Sequence, residues 1–120
     1  IFLSILRPTY KQYTQRARFL EVVQTAMPLK ISVSQCVFFT GSLKECRSGK
    51  HGIPKDDPFP SESLVSHASV KSGGVIRVRP KNKYGFTEYD ELVVSPEYKK
   101  GHLIWHMSGL AVEKGYLYGH

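Results

Sequence analysis

Carboxylates are scarce in this 120-residue chain: ten Asp and Glu stand against 17 Lys and Arg, giving a formal charge of +7. Such an excess favours anionic partners, although it bears on association and solubility and not on fold. Cysteine is nearly absent. Cys36 and Cys46 are too few for a disulfide framework and lack the close spacing of a zinc or redox pair, so a reducing, intracellular compartment is the preferred expectation. No apolar run approaches the roughly 20 residues of a membrane span, and the opening Ile1 to Leu6 carries neither a basic flank nor a cleavage site. The first residue is Ile, which suggests a processed product or an excised piece.

Catalytic signatures are missing as well. Lys44 occupies the first glycine position of a phosphate loop ending at Gly49-Lys50, and His51 follows the lysine, so that motif fails. His102 and His106 have the i, i+4 spacing that suits zinc on a helix, but they lack the glutamate of a metalloprotease and any sequence logic bringing in Cys36, Cys46, Glu113 or His120. No metal and no cofactor is expected, with His102 and His106 the only metal candidates.

What is present is ordinary globular composition, 41% hydrophobic and 22% charged, in a length suited to a single domain over residues 1–120. From Thr9 to about Met27 the pattern is helical: Tyr10, Tyr13, Ala17, Leu20 and Met27 share one side, while Phe19 and Val22 fall outside that stripe. Thr9 and Gln12 form a capping box, and Pro28 predicts the helix end. Residues 29–40 alternate Ile31, Val33, Val37 and Phe39 with Ser and Cys, as a strand does. Residues 41–63 collect Gly and Pro and read as a long loop. Strands are predicted at 64–70, 75–79 and 86–94, the last stopped by Ser95-Pro96, and a final hairpin turns at Glu113-Lys114-Gly115. The sum is an α+β arrangement, one N-terminal helix packed on an antiparallel sheet of about five strands.

The most cationic tract is residues 71–86, with Lys71, Arg77, Arg79, Lys81 and Lys83 and no carboxylate, ending near Tyr84 and Phe86. In a pleated strand Arg77 and Arg79 share one face while Ile76 and Val78 take the other; the plain alternative to a binding surface is that both arginines pair with Glu88, Asp90 or Glu91 across the hairpin. Cations neutralise phosphates and aromatic rings stack on unpaired bases. The leading expectation is therefore a small basic domain that binds nucleic acid, RNA preferred, or another phosphate polyanion, through Lys71, Arg77, Arg79, Lys81, Lys83, Tyr84 and Phe86. One alternative is a metal-independent nuclease or phosphodiesterase using His67, Glu88 and His102 beside the same cations. Another is a matrix-like assembly module whose basic N-terminal helix docks on an acidic membrane or in a protein groove. Trp105, flanked by Leu103 and Ile104, reads as a packing residue.

Overall fold

In a computed structural model, residues 2–56 and 58–117 are described, with side chains of the first helix described from Gln12 onward. The order is α1 (Phe2–Thr40), β1 (Val65–Lys71), β2 (Val75–Pro80), β3 (Leu92–Lys99), β4 (His102–Ser108) and α2 (Leu110–Glu113). The strands form one antiparallel sheet in the order β1-β2-β3-β4, and α1 packs across it. The expected helix-on-sheet architecture is present, with four strands in place of about five.

α1 is much longer than its sequence suggests. Its 39 residues correspond to roughly 58 Å of helix, matching the longest molecular dimension of 57 Å. Pro28 does not end it. The proline removes one backbone donor, but it lies on the exposed side of the helix, where water can satisfy the freed carbonyl. The helix stops instead at Gly41, whose φ of 78° and amide bond to the Val37 carbonyl (2.7 Å) make a left-handed cap. The strand expected at 29–40 is thus helix. Its alternation of Ile31, Val33, Val37 and Phe39 also contains a 3.6-residue period, Leu29-Val33-Cys36, and burying that stripe on the sheet outweighs β propensity.

The residues that face the sheet are Phe19, Val22, Ala26, Leu29, Val33, Cys36 and Val37, all buried. Phe19 and Val22, which lay outside the expected stripe, are fully buried, while Tyr13, Leu20 and Met27 face solvent. Opposite them the sheet contributes Val65, Ala68, Val70, Ile76, Val78, Leu92 and Val94. The reading of no membrane-length apolar stretch is also revised: Gln12–Thr40 contains an 18-residue window of mean hydropathy 1.2, long and apolar enough to cross a membrane by length and composition. Two opposed apolar stripes on one helix produce that value.

Two tethers fix α1 to the sheet, one at its Thr40 end and one around residues 16–21. At the end near Thr40, Cys36 and Cys46 form a buried disulfide, which removes the ground for preferring a reducing compartment. The Cys46 carbonyl accepts from the Gly74 amide at 2.9 Å, and Ser48 exchanges bonds with both backbone groups of Val70, so this segment covers the free edge of β1. Gly74, at φ 79°, sits so close to Val33, Leu43 and Pro96 that a Cβ would press on all three at 3.0–3.2 Å. We call this end the tip.

At the other end, the base, the rings of Phe19, Phe86 and Tyr116 meet with centroids 5.0–5.4 Å apart. Arg16 Nε donates to the Gly115 carbonyl at 2.8 Å. Glu21 accepts from the Ser63 hydroxyl and from the Leu64 amide. Residues 81–91 are irregular where a strand from Phe86 was expected, and β3 runs straight through Ser95 and Pro96 to Lys99. The tail makes the short α2 and not a hairpin.

Candidate functional site

The cationic strand is exposed but already engaged. β2 buries Ile76 and Val78 and presents Arg77 and Arg79 to solvent. Glu91 receives both guanidinium groups, Arg77 Nη1 on Oε1 at 2.8 Å and Arg79 Nε on Oε2 at 3.0 Å. Of the three carboxylates that could pair with these arginines across the hairpin, the structure selects Glu91, five residues past the acid-free tract. Lys81 Nζ donates to the Pro60 carbonyl at 2.6 Å. Lys83 and Arg18 lie over the Tyr84 ring, 5.2 and 4.2 Å from its centroid. Phe86 is buried in the ring cluster and offers no stacking face. Of the proposed contact set, Lys71 alone is an exposed cation with no side-chain partner among the described residues.

The histidines and the glutamate are dispersed. His67 lies on β1 against Asp56 at 3.2 Å, His102 on β4 at the opposite edge of the sheet, in register with Lys99, and Glu88 in the 81–91 segment, its amide bonded to Asn82 Oδ1 at 2.9 Å. β1 and β4 are separated by two strands, so these three residues do not converge on one reacting centre. His106 contacts Glu97 at 3.4 Å. The described residues contain no group of three or more metal-ligating side chains, and both cysteines are consumed by the disulfide.

Among the described residues, the buried ionic site is structural. Asp90 is fully buried; its Oδ2 accepts from the Thr87 amide at 2.8 Å and its Oδ1 lies 2.7 Å from Lys114 Nζ. The hydrogen bond to Asp90 raises the Lys114 ammonium pKa above 10.5. Burial, then the Asp90 charge, raises the Tyr116 phenol. The arrangement ties α2 to the 81–91 segment.

Among the described residues, α1 also exposes an apolar face. Tyr13, Leu20, Met27, Ile31 and Phe38 are 62, 38, 46, 62 and 83% exposed. Steps of seven, seven, four and seven residues keep them on one face of α1, turned away from the stripe that packs on the sheet by roughly 150°. Phe39, 81% exposed, sits edge-on to Phe38 at 5.4 Å. A row of large hydrophobic side chains along most of a long helix is the mark of a surface that other chains cover. Part of this row, Tyr13, Leu20 and Met27, is visible in the sequence as a stripe; which face it occupies is not.

Comparison with known proteins identifies the architecture. No family model matches the chain. Over 47 residues it is 38% identical to the type IV pilus subunit protein TapA of Aeromonas hydrophila, covering 39% of this chain and 33% of TapA. Over 75 residues it is 32% identical to the prepilin peptidase-dependent protein D of Escherichia coli, covering 62% of this chain and 49% of the relative. These matches span between a third and half of the relatives' lengths. The solution structure of the major type IV pilin PpdD from enterohemorrhagic Escherichia coli superposes with a TM-score of 0.62 at 25% identity, over 80% of this chain and 69% of that one. The helix on a four-stranded antiparallel sheet is the type IV pilin fold. The expectations of an RNA or polyanion binder, of a nuclease, and of a module docking its basic helix on an acidic membrane or in a groove are overturned: the relatives are pilins. Lys71, Arg77, Arg79, Lys81, Lys83, Tyr84 and Phe86 accordingly lose nucleic acid as their partner.

Proposed function

We propose that this chain is a structural subunit of a type IV pilus, and that its partners are further copies of itself and the machinery that assembles them. The observation that carries the reading is the exposed stripe of Tyr13, Leu20, Met27, Ile31 and Phe38 on the long helix of a pilin fold. Parallel helices from neighbouring copies can bury such stripes against one another. Each large side chain then gains roughly 1.5–3 kcal/mol from full burial, and many copies sum this along a filament. The buried Cys36–Cys46 disulfide accords with a product that leaves the reducing cytoplasm.

The test is expression of the full-length chain in a host with pilus-assembly machinery, followed by shearing and electron microscopy of surface filaments. The chain is expected in the sheared filaments, and Leu20→Asp with Ile31→Asp is expected to abolish its incorporation while the sheet domain stays folded. Filaments that form without the chain, or that tolerate both charges, would end the proposal.

A further inference from the structure

The two edges of the sheet are treated differently. Along β1 the Ser48 amide and hydroxyl bond both backbone groups of Val70, and the ladder to β2 shifts register between Val65 and His67, so this edge is covered and interrupted. β4 has neither device. From His102 to Ser108 it carries no proline, no Lys, Arg, Asp or Glu, and no register shift. α2, which follows it, turns back over β3, where the Ala111 amide donates to the Glu91 carbonyl at 3.3 Å.

The hairpin before β4 fixes which backbone groups face the free edge. Lys100 and Gly101 make its two-residue turn, with φ of 52° and 79°, so the flanking pair Lys99 and His102 exchanges both ladder bonds. Alternation then assigns Ile104, His106 and Ser108 to β3. The amides and carbonyls of Leu103, Trp105 and Met107 point outward, and among the described residues no group beyond the sheet bonds them. Pro96 agrees with this phase, since it stands opposite Trp105, at a position that owes β4 no donor. The side chains of Leu103, Trp105 and Met107 lie on the helix side of the sheet and are only half-buried, whereas Ile76, Val78, Leu92 and Val94 are sealed. Unpaired backbone and half-covered apolar side chains together leave room for one more strand.

We infer that β4 pairs with β4 of a second copy, antiparallel about a two-fold axis at Trp105, joining the two four-stranded sheets. In that register Trp105 of one copy faces Trp105 of the other, and Leu103 faces Met107. The outward amides and carbonyls satisfy one another, and the half-buried row is closed by its own counterpart. On the outer face Ile104, 43% exposed, meets His106. Each copy bears +7, but a strand without Lys, Arg, Asp or Glu sets no fixed like charges across the seam. The contact uses the same patch on both copies and closes on itself. It goes beyond the pilus reading and does not depend on it: the axis reverses α1, so the paired copies are not neighbours in a filament of parallel helices.

The test uses the full-length chain in detergent micelles, with Ile104→Cys copies and affinity-tagged His106→Cys copies oxidised together and apart. In the inferred register positions 104 and 106 oppose each other at roughly 4.5 Å between Cα atoms, within disulfide reach, while each lies roughly 7–8 Å from its own counterpart, beyond it. Cys36 and Cys46 are buried and already joined. Expected is a mixed dimer about tenfold or more above the dimer that either variant forms alone. Ile104→Lys in the otherwise wild-type chain is expected to lower the dimer fraction in sedimentation about tenfold, with an unchanged thermal midpoint. Leu20→Asp with Ile31→Asp should keep the mixed cross-link; its loss there would assign the dimer to the outer stripe of α1 and overturn the pairing. No cross-link in the mixture, equal cross-linking of the single variants, or a dimer that tolerates Ile104→Lys also overturns it. A chain that gives the mixed cross-link but is absent from filaments overturns the pilus reading alone.

Discussion

The two apolar stripes of α1 are made from similar residues and have opposite fates. Phe19, Val22, Ala26, Leu29 and Val33 are sealed against the sheet, whereas Tyr13, Leu20, Met27, Ile31 and Phe38 stand in solvent. Either set satisfies a helical period, and the outer one holds larger side chains. What separates them is shape: the inner stripe uses small and β-branched residues through its middle, which lets the helix lie close on strands whose inward faces are Ala68, Val70, Ile76 and Val94. The outer stripe faces away from the sheet. The comparison teaches that apolar periodicity identifies a surface to be buried without saying whether by the same chain or another.

Substitutions on the two stripes should therefore part stability from assembly. The largest loss is expected from Phe19→Ala on the inner stripe, about 3–5 kcal/mol, seen as a lower denaturant midpoint, since the ring also supports Phe86 and Tyr116. Removing the disulfide by Cys36→Ser with Cys46→Ser should cost about 3 kcal/mol for a separation of 10 residues, and should loosen the tip first, as faster hydrogen exchange at Gly74 and Val70.

An alkaline titration sharpens the role of the base. The Lys114 pKa is raised, so its contribution is full below the usual lysine value of 10.5 and fades as pH climbs through the higher folded value. The Tyr116 phenol, also raised, acts in the same direction, because above pH 10.0 the unfolded chain ionises first. The thermal midpoint should fall above about pH 10, and Lys114→Gln should flatten that fall while lowering the midpoint at pH 7 by stranding buried Asp90. The smallest effect on stability belongs to the outer stripe: Ile31→Gln should change unfolding free energy by less than about 0.5 kcal/mol yet remove the chain from filaments. A substantial destabilisation there would mean that the outer stripe is part of the core after all.

Much of the architecture is legible from residues alone, and the misses share one cause. The β1–β2 hairpin and the turn at Lys99-Lys100-Gly101 follow from local chemistry, because glycine pairs and alternation act over a few residues. Local chemistry misleads at Pro28 and Pro96: each removes one donor, but an exposed helix side and a strand position tolerate the loss within elements held by burial elsewhere. It misleads again at Phe86, which looks like a stacking platform beside the cations and is instead a core ring. A run of cations is conspicuous in sequence and draws the candidate site to β2; pairing with Glu88, Asp90 or Glu91 is legible as an alternative, but only the fold of the 81–91 segment selects Glu91 for both arginines.

Composition, charge and periodicity were sufficient to establish a basic α+β molecule with an amphipathic helix and an antiparallel sheet, because these depend on interactions among residues close along the chain. Which side of that helix faces inward, that Cys36 meets Cys46, and that Phe86 joins a buried ring cluster were decided by packing. Those outcomes turn on contacts between segments ten or more residues apart, whose energies exist only once the helix has settled on the sheet.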